Sequence, residues 1–153
     1  MYYKNLLKAL DREYDLGIQD LSIDSISLKV NDEYHISFYS EDNQQTVLIE
    51  SDIYEIEPFL HKDFFQHLLS ANFEGILPWG AHFGINPETN RVLLMKKILL
   101  EHIDYNEFIK QLKQFINLHD QLQEKLYHWK TSSFFLNKSS STKTSHATDK
   151  IFI

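Results

Sequence analysis

Residues 68–99, LLSANFEGILPWGAHFGINPETNRVLLMKKIL, constrain the fold more than any other stretch of the chain. The run opens as the end of an apolar helix, breaks at Asn72 and loosens through Gly75, Pro78 and Gly80. From Trp79 to Ile85 it reads as a strand, in which Trp79, Ala81, Phe83 and Ile85 alternate with Gly80, His82 and Gly84. The glycines leave one face of that strand bare, a pattern that admits close approach by another backbone or a helix. Asn86-Pro87-Glu88-Thr89-Asn90 supplies a turn, and Val92 to Met95 the returning strand. A helix must therefore end, and a hairpin form, inside about thirty residues.

The flanks are conventional amphipathic segments. Tyr3, Leu6, Leu7, Leu10 and Tyr14 recur at spacings of three and four, which predicts a helix over 2–16 with Gly17 as its stop. Residues 25–31 and 33–39 alternate apolar and polar, Asn31-Asp32 suits a tight turn between them, and a third strand covers 46–51. After Pro58 a helix is expected from about Leu60 to Ala71, with Phe64, Phe65, Leu68 and Leu69 on its apolar face. That face is wider than a thin sheet needs, which points to burial by a second copy of the chain. Asp104 followed by Glu107 forms a capping-box pattern, and apolar spacing from Phe108 to Trp129, His119 included, carries the last helix to about Lys130. The elements follow one another as helix, three strands, helix, two strands, helix. This predicts an α+β sandwich, α-β-β-β-α-β-β-α, on a twisted antiparallel sheet.

At 153 residues the chain is one domain by length. Residues 131–153 change character: ten are Ser or Thr, and few are apolar before Ile151-Phe152-Ile153. They are expected to form a flexible tail behind a folded domain of residues 1–130. The tail carries Lys138, Lys143 and Lys150 against Asp149, a net +2, which leaves −9 on residues 1–130 of a chain with net charge −7. An acidic body disfavours nucleic acid and anionic membrane surfaces, both of which need a basic footprint. The N-terminus is interrupted by charges every few residues and reads as neither a signal peptide nor a membrane span. The lack of cysteine excludes disulfides and thiolate metal sites and fits a reducing cytosol.

Eight histidines invite a metal or catalytic reading. His61 and His67 are six apart rather than four, so they do not share a helical face as a metal-binding pair would. No nucleophile elbow and no phosphate-cradling glycine spacing is present. Nothing in the pattern asks for an enzyme or a cofactor. The alternative kept open is a small metal-binding or enzymatic α+β domain using His61, His67 or His82.

The combination Leu68-Leu69-Ser70-Ala71-Asn72, Gly75, Trp79–Ile85 and Pro87-Glu88-Thr89-Asn90-Arg91-Val92-Leu93-Leu94 resembles the small dimeric chaperones of type III secretion, the Tir-chaperone (CesT-like) family. Those proteins show a Leu-Leu-x-Ala-Asn helix end, a glycine-containing link, and an Asp/Asn-Pro-Glu-Thr turn before an apolar strand. This chain departs from them in carrying Phe73, Ile76, Leu77, Pro78 and Trp79 in the link, where family members are smaller and more glycine-rich. The resemblance covers about 130 residues and implies a non-catalytic cytoplasmic bacterial homodimer serving virulence-related protein transport. Such a dimer holds the extended N-terminal segment of secreted effectors and keeps them soluble and export-competent, with the secretion-apparatus ATPase as a further partner. By position, the dimer contact falls on Phe65, Leu68, Leu69, Trp79 and Phe83. Effector pockets fall on Leu6, Leu10, Tyr14, Tyr34, Ile36, Phe38, Val47 and Ile49. The alternative role for each of these strand residues is core packing.

Overall fold

A computed structural model describes residues 1–58, 62–73, 75 and 77–136, with side chains through residue 130. The elements are α1 (Tyr3–Tyr14), β1 (Ser25–Val30), β2 (Tyr34–Glu41), β3 (Thr46–Glu55), α2 (Lys62–Phe73), β4 (His82–Asn86), β5 (Arg91–Leu99) and α3 (Tyr105–Leu136), with short 3-10 turns at 42–44, 78–80 and 100–102. The five strands form one antiparallel sheet in the order β1-β2-β3-β5-β4. The expected α+β arrangement is thus the one found. Strands β1 and β4 are its two edges.

One sheet face enters the core through Ile36, Phe38, Val47, Ile49, Val92, Leu94, Ile98 and Phe83. The helices meet it with Tyr3, Leu6, Leu7 and Leu10 of α1, Phe64 and Leu68 of α2, and Phe108, Leu112, Phe115, Leu122 and Leu126 of α3. Burial of apolar area at roughly 25 cal/mol per Å2 is the main force holding these layers together. The Tyr3 hydroxyl donates to the Phe38 carbonyl at 3.1 Å, and burial raises that phenol's pKa.

Several element ends differ from the sequence expectation. α1 stops at Tyr14, and Asp15 takes the left-handed cap with φ 51° before Gly17 is reached. Tyr14, the last member of the predicted stripe, is 49% exposed. β3 runs to Glu55, with a register irregularity between Asp52 and Tyr54. α3 continues to Leu136, past the expected stop at Lys130. Asp104 caps this helix as predicted, accepting the Glu107 amide at 2.8 Å. The Glu107 carboxylate instead meets Lys110 and Gln111. The rest of the expected tail, 137–153, lies outside the described residues.

The link after α2 departs most. Pro78-Trp79-Gly80 is a 3-10 turn rather than the start of a strand, with Trp79 at φ 60° and Gly80 at φ 75°. Pro78 fixes its own φ and supplies no amide to a ladder, so the strand begins only at His82. The bare face expected at Gly84 is filled: a Cβ there would lie 2.6 Å from the Met95 sulfur. The missing side chain makes room for Met95 from the neighbouring strand.

Side chains of α2 and α3 also tie helices to the sheet. Asn72, at the end of α2, donates from Nδ2 to the Phe83 carbonyl (2.9 Å) and accepts the Phe83 amide on Oδ1 (2.7 Å). His119 of α3 is fully buried and stacks on Tyr34 at a centroid distance of 3.8 Å. Its Nε2 lies 3.1 Å from the Asp52 carbonyl, beside the β3 irregularity. A carbonyl only accepts, so Nε2 carries the proton.

Asn72→Ala is expected to lower the unfolding free energy by about 1–3 kcal/mol, because it strands both backbone groups of Phe83. Asn72→Asp keeps the acceptor, loses the donor and should destabilise as well. His119→Phe, which preserves the ring but orphans the Asp52 carbonyl, should cost about 1–3 kcal/mol. Tyr34→Phe, at a surface hydroxyl bonded to Asp120, should cost under about 1 kcal/mol. Urea unfolding of the four variants measures all of these.

Candidate functional site

An apolar groove of about 420 Å3 lies between α1, α3 and the β1–β2 end of the sheet. Leu10, Ile36 and Phe38 form its buried floor. Tyr14, Leu28, Val30 and Ile116 stand along its sides. A second concavity of about 550 Å3 continues from it beneath Ile18, Ile23 and Ile26, and shares Leu16, Leu28 and Lys29 with the first. Together they make a trough running along β1, apolar in the groove and interrupted by Gln19, Asp20, Ser27 and Lys29 in its continuation.

The trough follows from the strand pattern. β1 turns Ile26, Leu28 and Val30 toward the helices in register with Phe38, Ile36 and Tyr34 of β2. Those three β1 residues are only half-buried, because no further strand lies beyond them and α1 ends at Tyr14. β1 therefore offers unpaired backbone groups on one side and a row of apolar side chains beside them. That pairing of features is what an added strand uses: main-chain hydrogen bonds along the edge and pockets for alternate side chains.

The residues predicted for partner binding divide into three sets. Leu10, Tyr14, Ile36 and Phe38 line the groove. Leu6, Val47 and Ile49 lie fully buried in the core, away from it. Tyr34 borders the groove region through its pairing with Val30, but it lines a polar cleft with His35, Glu50, Asp52 and Arg91 on the other side. Burial and the neighbouring Asp120 carboxylate raise the Tyr34 phenol's pKa. Sequence reasoning missed Leu16, Leu28, Val30, Leu112 and Ile116 as groove residues. For Leu28 the signal was present in the alternation of β1; which strands were edges was not.

The predicted dimer-contact residues also separate. Leu68 and Phe83 are buried within the chain, and Phe65 packs partly against Phe64. Leu69 and Trp79 are 68% and 52% exposed. Beside them, Phe73, one turn after Leu69 on α2, is 91% exposed, and Ile85 of β4 is also open. α2, the turn after it and β4 thus each leave large apolar side chains exposed.

Among the described residues no three His, Asp or Glu side chains gather as a metal cage. His67 stacks on Trp129 and His82 is exposed on β4; His61 lies outside the described residues. No described helix is long and apolar enough to cross a membrane.

The sequence matches the Tir chaperone protein (CesT) family over residues 5–123. No curated protein matches it. Among solved structures, the fold is similar to a chain of the ExsC–ExsE complex, with a TM-score of 0.67, 23% identity, and coverage of 80% of this chain and 92% of that one. It is also similar to a chain of the HopA1–SchA chaperone–effector complex, with a TM-score of 0.63, 13% identity, and coverage of 80% and 93%. A third similarity is to a chain of the heterodimeric ExoU–SpcU complex from the type III secretion system of Pseudomonas aeruginosa, with a TM-score of 0.57, 10% identity, and coverage of 80% and 95%. At these identities the likenesses concern the fold.

Groove floor and groove wall should behave differently on truncation. Ile36→Ala, at a fully buried site, is expected to cost about 2–5 kcal/mol. Tyr14→Ala, at the exposed wall, should change stability by less than about 1 kcal/mol. Thermal and urea unfolding of the two variants compare them directly.

Proposed function

The chain belongs to the Tir chaperone protein (CesT) family, and on that premise we propose that it is a type III secretion chaperone. It binds the extended N-terminal segment of one or more secreted effectors and keeps them soluble and competent for export. The observation that supports this most is the apolar trough beside the unpaired edge of β1. An effector segment adds along β1, and its alternate apolar side chains enter over Leu28, Ile36 and Phe38, against Tyr14. Leu6, Val47 and Ile49 act beneath this surface by holding its floor in place. Ordering an unfolded segment costs entropy, and a long apolar trough is the kind of contact that offsets it. The net −9 on residues 1–130 favours basic residues at the rim, which set the on-rate and its salt dependence.

The working form is a cytoplasmic bacterial homodimer without catalytic activity. The two copies meet through α2 and β4, where Leu69, Phe73, Trp79 and Ile85 are open and Phe65 lies at the margin. Leu68 and Phe83 support that face from within. The ATPase of the secretion apparatus is the partner that receives the loaded complex.

Light scattering tests both parts. The expected mass is near twice 18.2 kDa, rising by one effector segment on co-expression with candidate effector N-termini. Leu69→Asp with Phe73→Asp should halve the mass of the free chain without unfolding it. Tyr14→Ala should leave the dimer intact and weaken capture by about tenfold, the factor that 1.4 kcal/mol corresponds to. A chain at 18.2 kDa that captures nothing sinks the reading. A dimer that captures nothing leaves only an oligomerisation module.

A further inference from the structure

One apolar run in the sequence has no part in the function proposed above: Ile151-Phe152-Ile153. Apart from Ala147, residues 137–150 contain only polar and charged side chains, so this triplet is the one strongly apolar element beyond α3. We propose that Ile151-Phe152-Ile153 occupies the groove between α1, β1 and α3 of its own chain while no effector segment is held, and is displaced when one arrives. The regulatory half of this rests on the groove being the effector site; the docking half does not.

Three observations carry the proposal. The first is reach. The groove's α3 residue nearest the helix end, Ile116, precedes Leu136 by twenty residues, or about 30 Å along the helix. The fifteen residues from 137 to 151 span up to about 50 Å when drawn out, enough to return along α3 to the groove. The second is charge. Residues 137–153 carry a net +2 and residues 1–130 a net −9. Lys150 leads directly into the triplet, and at the groove itself the one charged side chain of the lining, Lys29, is paired with Asp32 at 3.0 Å. A basic segment that ends in an apolar run matches an acidic body that carries an apolar groove. The third is size. A concavity of about 420 Å3 falls within the range of pockets that enclose small ligands. It suits one aromatic and one branched side chain, not a helix.

Tethering makes a weak contact sufficient. A segment on a short linker acts at an effective concentration of millimolar order, so modest intrinsic affinity fills the groove in most molecules. An effector segment with a longer apolar pattern, and a strand for the β1 edge, then competes on favourable terms. In the meantime the trough is not left bare to aggregate.

The test uses the methyl NMR signals of Leu28, Ile36 and Ile116 in three proteins: the full chain, the chain ending at Leu136, and full-length Phe152→Asp. The expected result is that the two variants agree with each other and differ from the full chain. A synthetic peptide of residues 139–153, added to the shortened chain, should return the signals toward their full-chain positions, and the same peptide with Phe152→Asp should not. Capture of an effector N-terminal segment, measured in parallel, should be several-fold tighter for both variants. Groove methyls identical in all three proteins overturn the proposal, and intact effector capture in that case leaves the chaperone reading standing. Methyl differences without capture by any of the proteins uphold docking and remove the chaperone reading. Full-chain signals that move with protein concentration place the triplet in a second copy's groove and overturn the same-chain assignment.

Discussion

The sheet has two edges, and one amide side chain makes them different. Asn72 presents its Oδ1 and Nδ2 to the amide and carbonyl of Phe83, as a residue of a sixth strand would. The edge at β4 is thereby partly closed by the end of α2. No comparable group among the described residues covers β1. A sheet with two open edges invites pairing at both; closing one directs strand addition to the other. The same two bonds fix the rotation of α2, which puts Phe64 and Leu68 inward and leaves Leu69 and Phe73 outward. The groove and the outward face on α2 and β4 are therefore separate regions of one sheet, set apart by where a single asparagine sits.

α3 connects the two ends. Its first half closes the groove through Leu112 and Ile116, and its second half reaches the β4 side, where Trp129 meets His67 and the ring of Phe83. Between them, His119 holds the Asp52 carbonyl where β3 loses its regular register. The helix that shapes the groove is thus the helix that backs the other face. Its position is specified by a polar contact rather than by apolar packing alone, which tolerates sliding more readily.

Much of this was legible in the sequence. Strand alternation and helical spacing yielded the order of elements, the buried His119 and the Asp104 cap, because each depends on neighbours within a few residues. The strand order was not legible, and with it went the distinction between Ile36 or Phe38 under the groove and Val47 or Ile49 in the closed core. All four have the same period-two pattern and differ only in which strand lies beside them. Trp79 was misplaced because alternation continued through a proline turn that ends it. Gly84 was read as an opening because its filler, Met95, comes from another strand. The family resemblance was carried by Leu68 to Asn72 and the Asn86–Asn90 turn, and the structure supplies a physical reason for both. Asn72 secures the edge strand, and Asn86 Oδ1 accepts the amides of Glu88 and Thr89 to close the hairpin.

The chain's two tryptophans have an optical consequence. Trp79 sits in the turn that leads into β4, and Trp129 packs against Phe83 of that strand. None stands at the groove, whose aromatic members are Tyr14 and Phe38. Intrinsic emission excited at the red edge of the indole band therefore reports events on one side of the molecule and is silent about the other. Events at the α2–β4 side and events at the groove, which mass measurements sum together, are in this protein spectrally separable without any label.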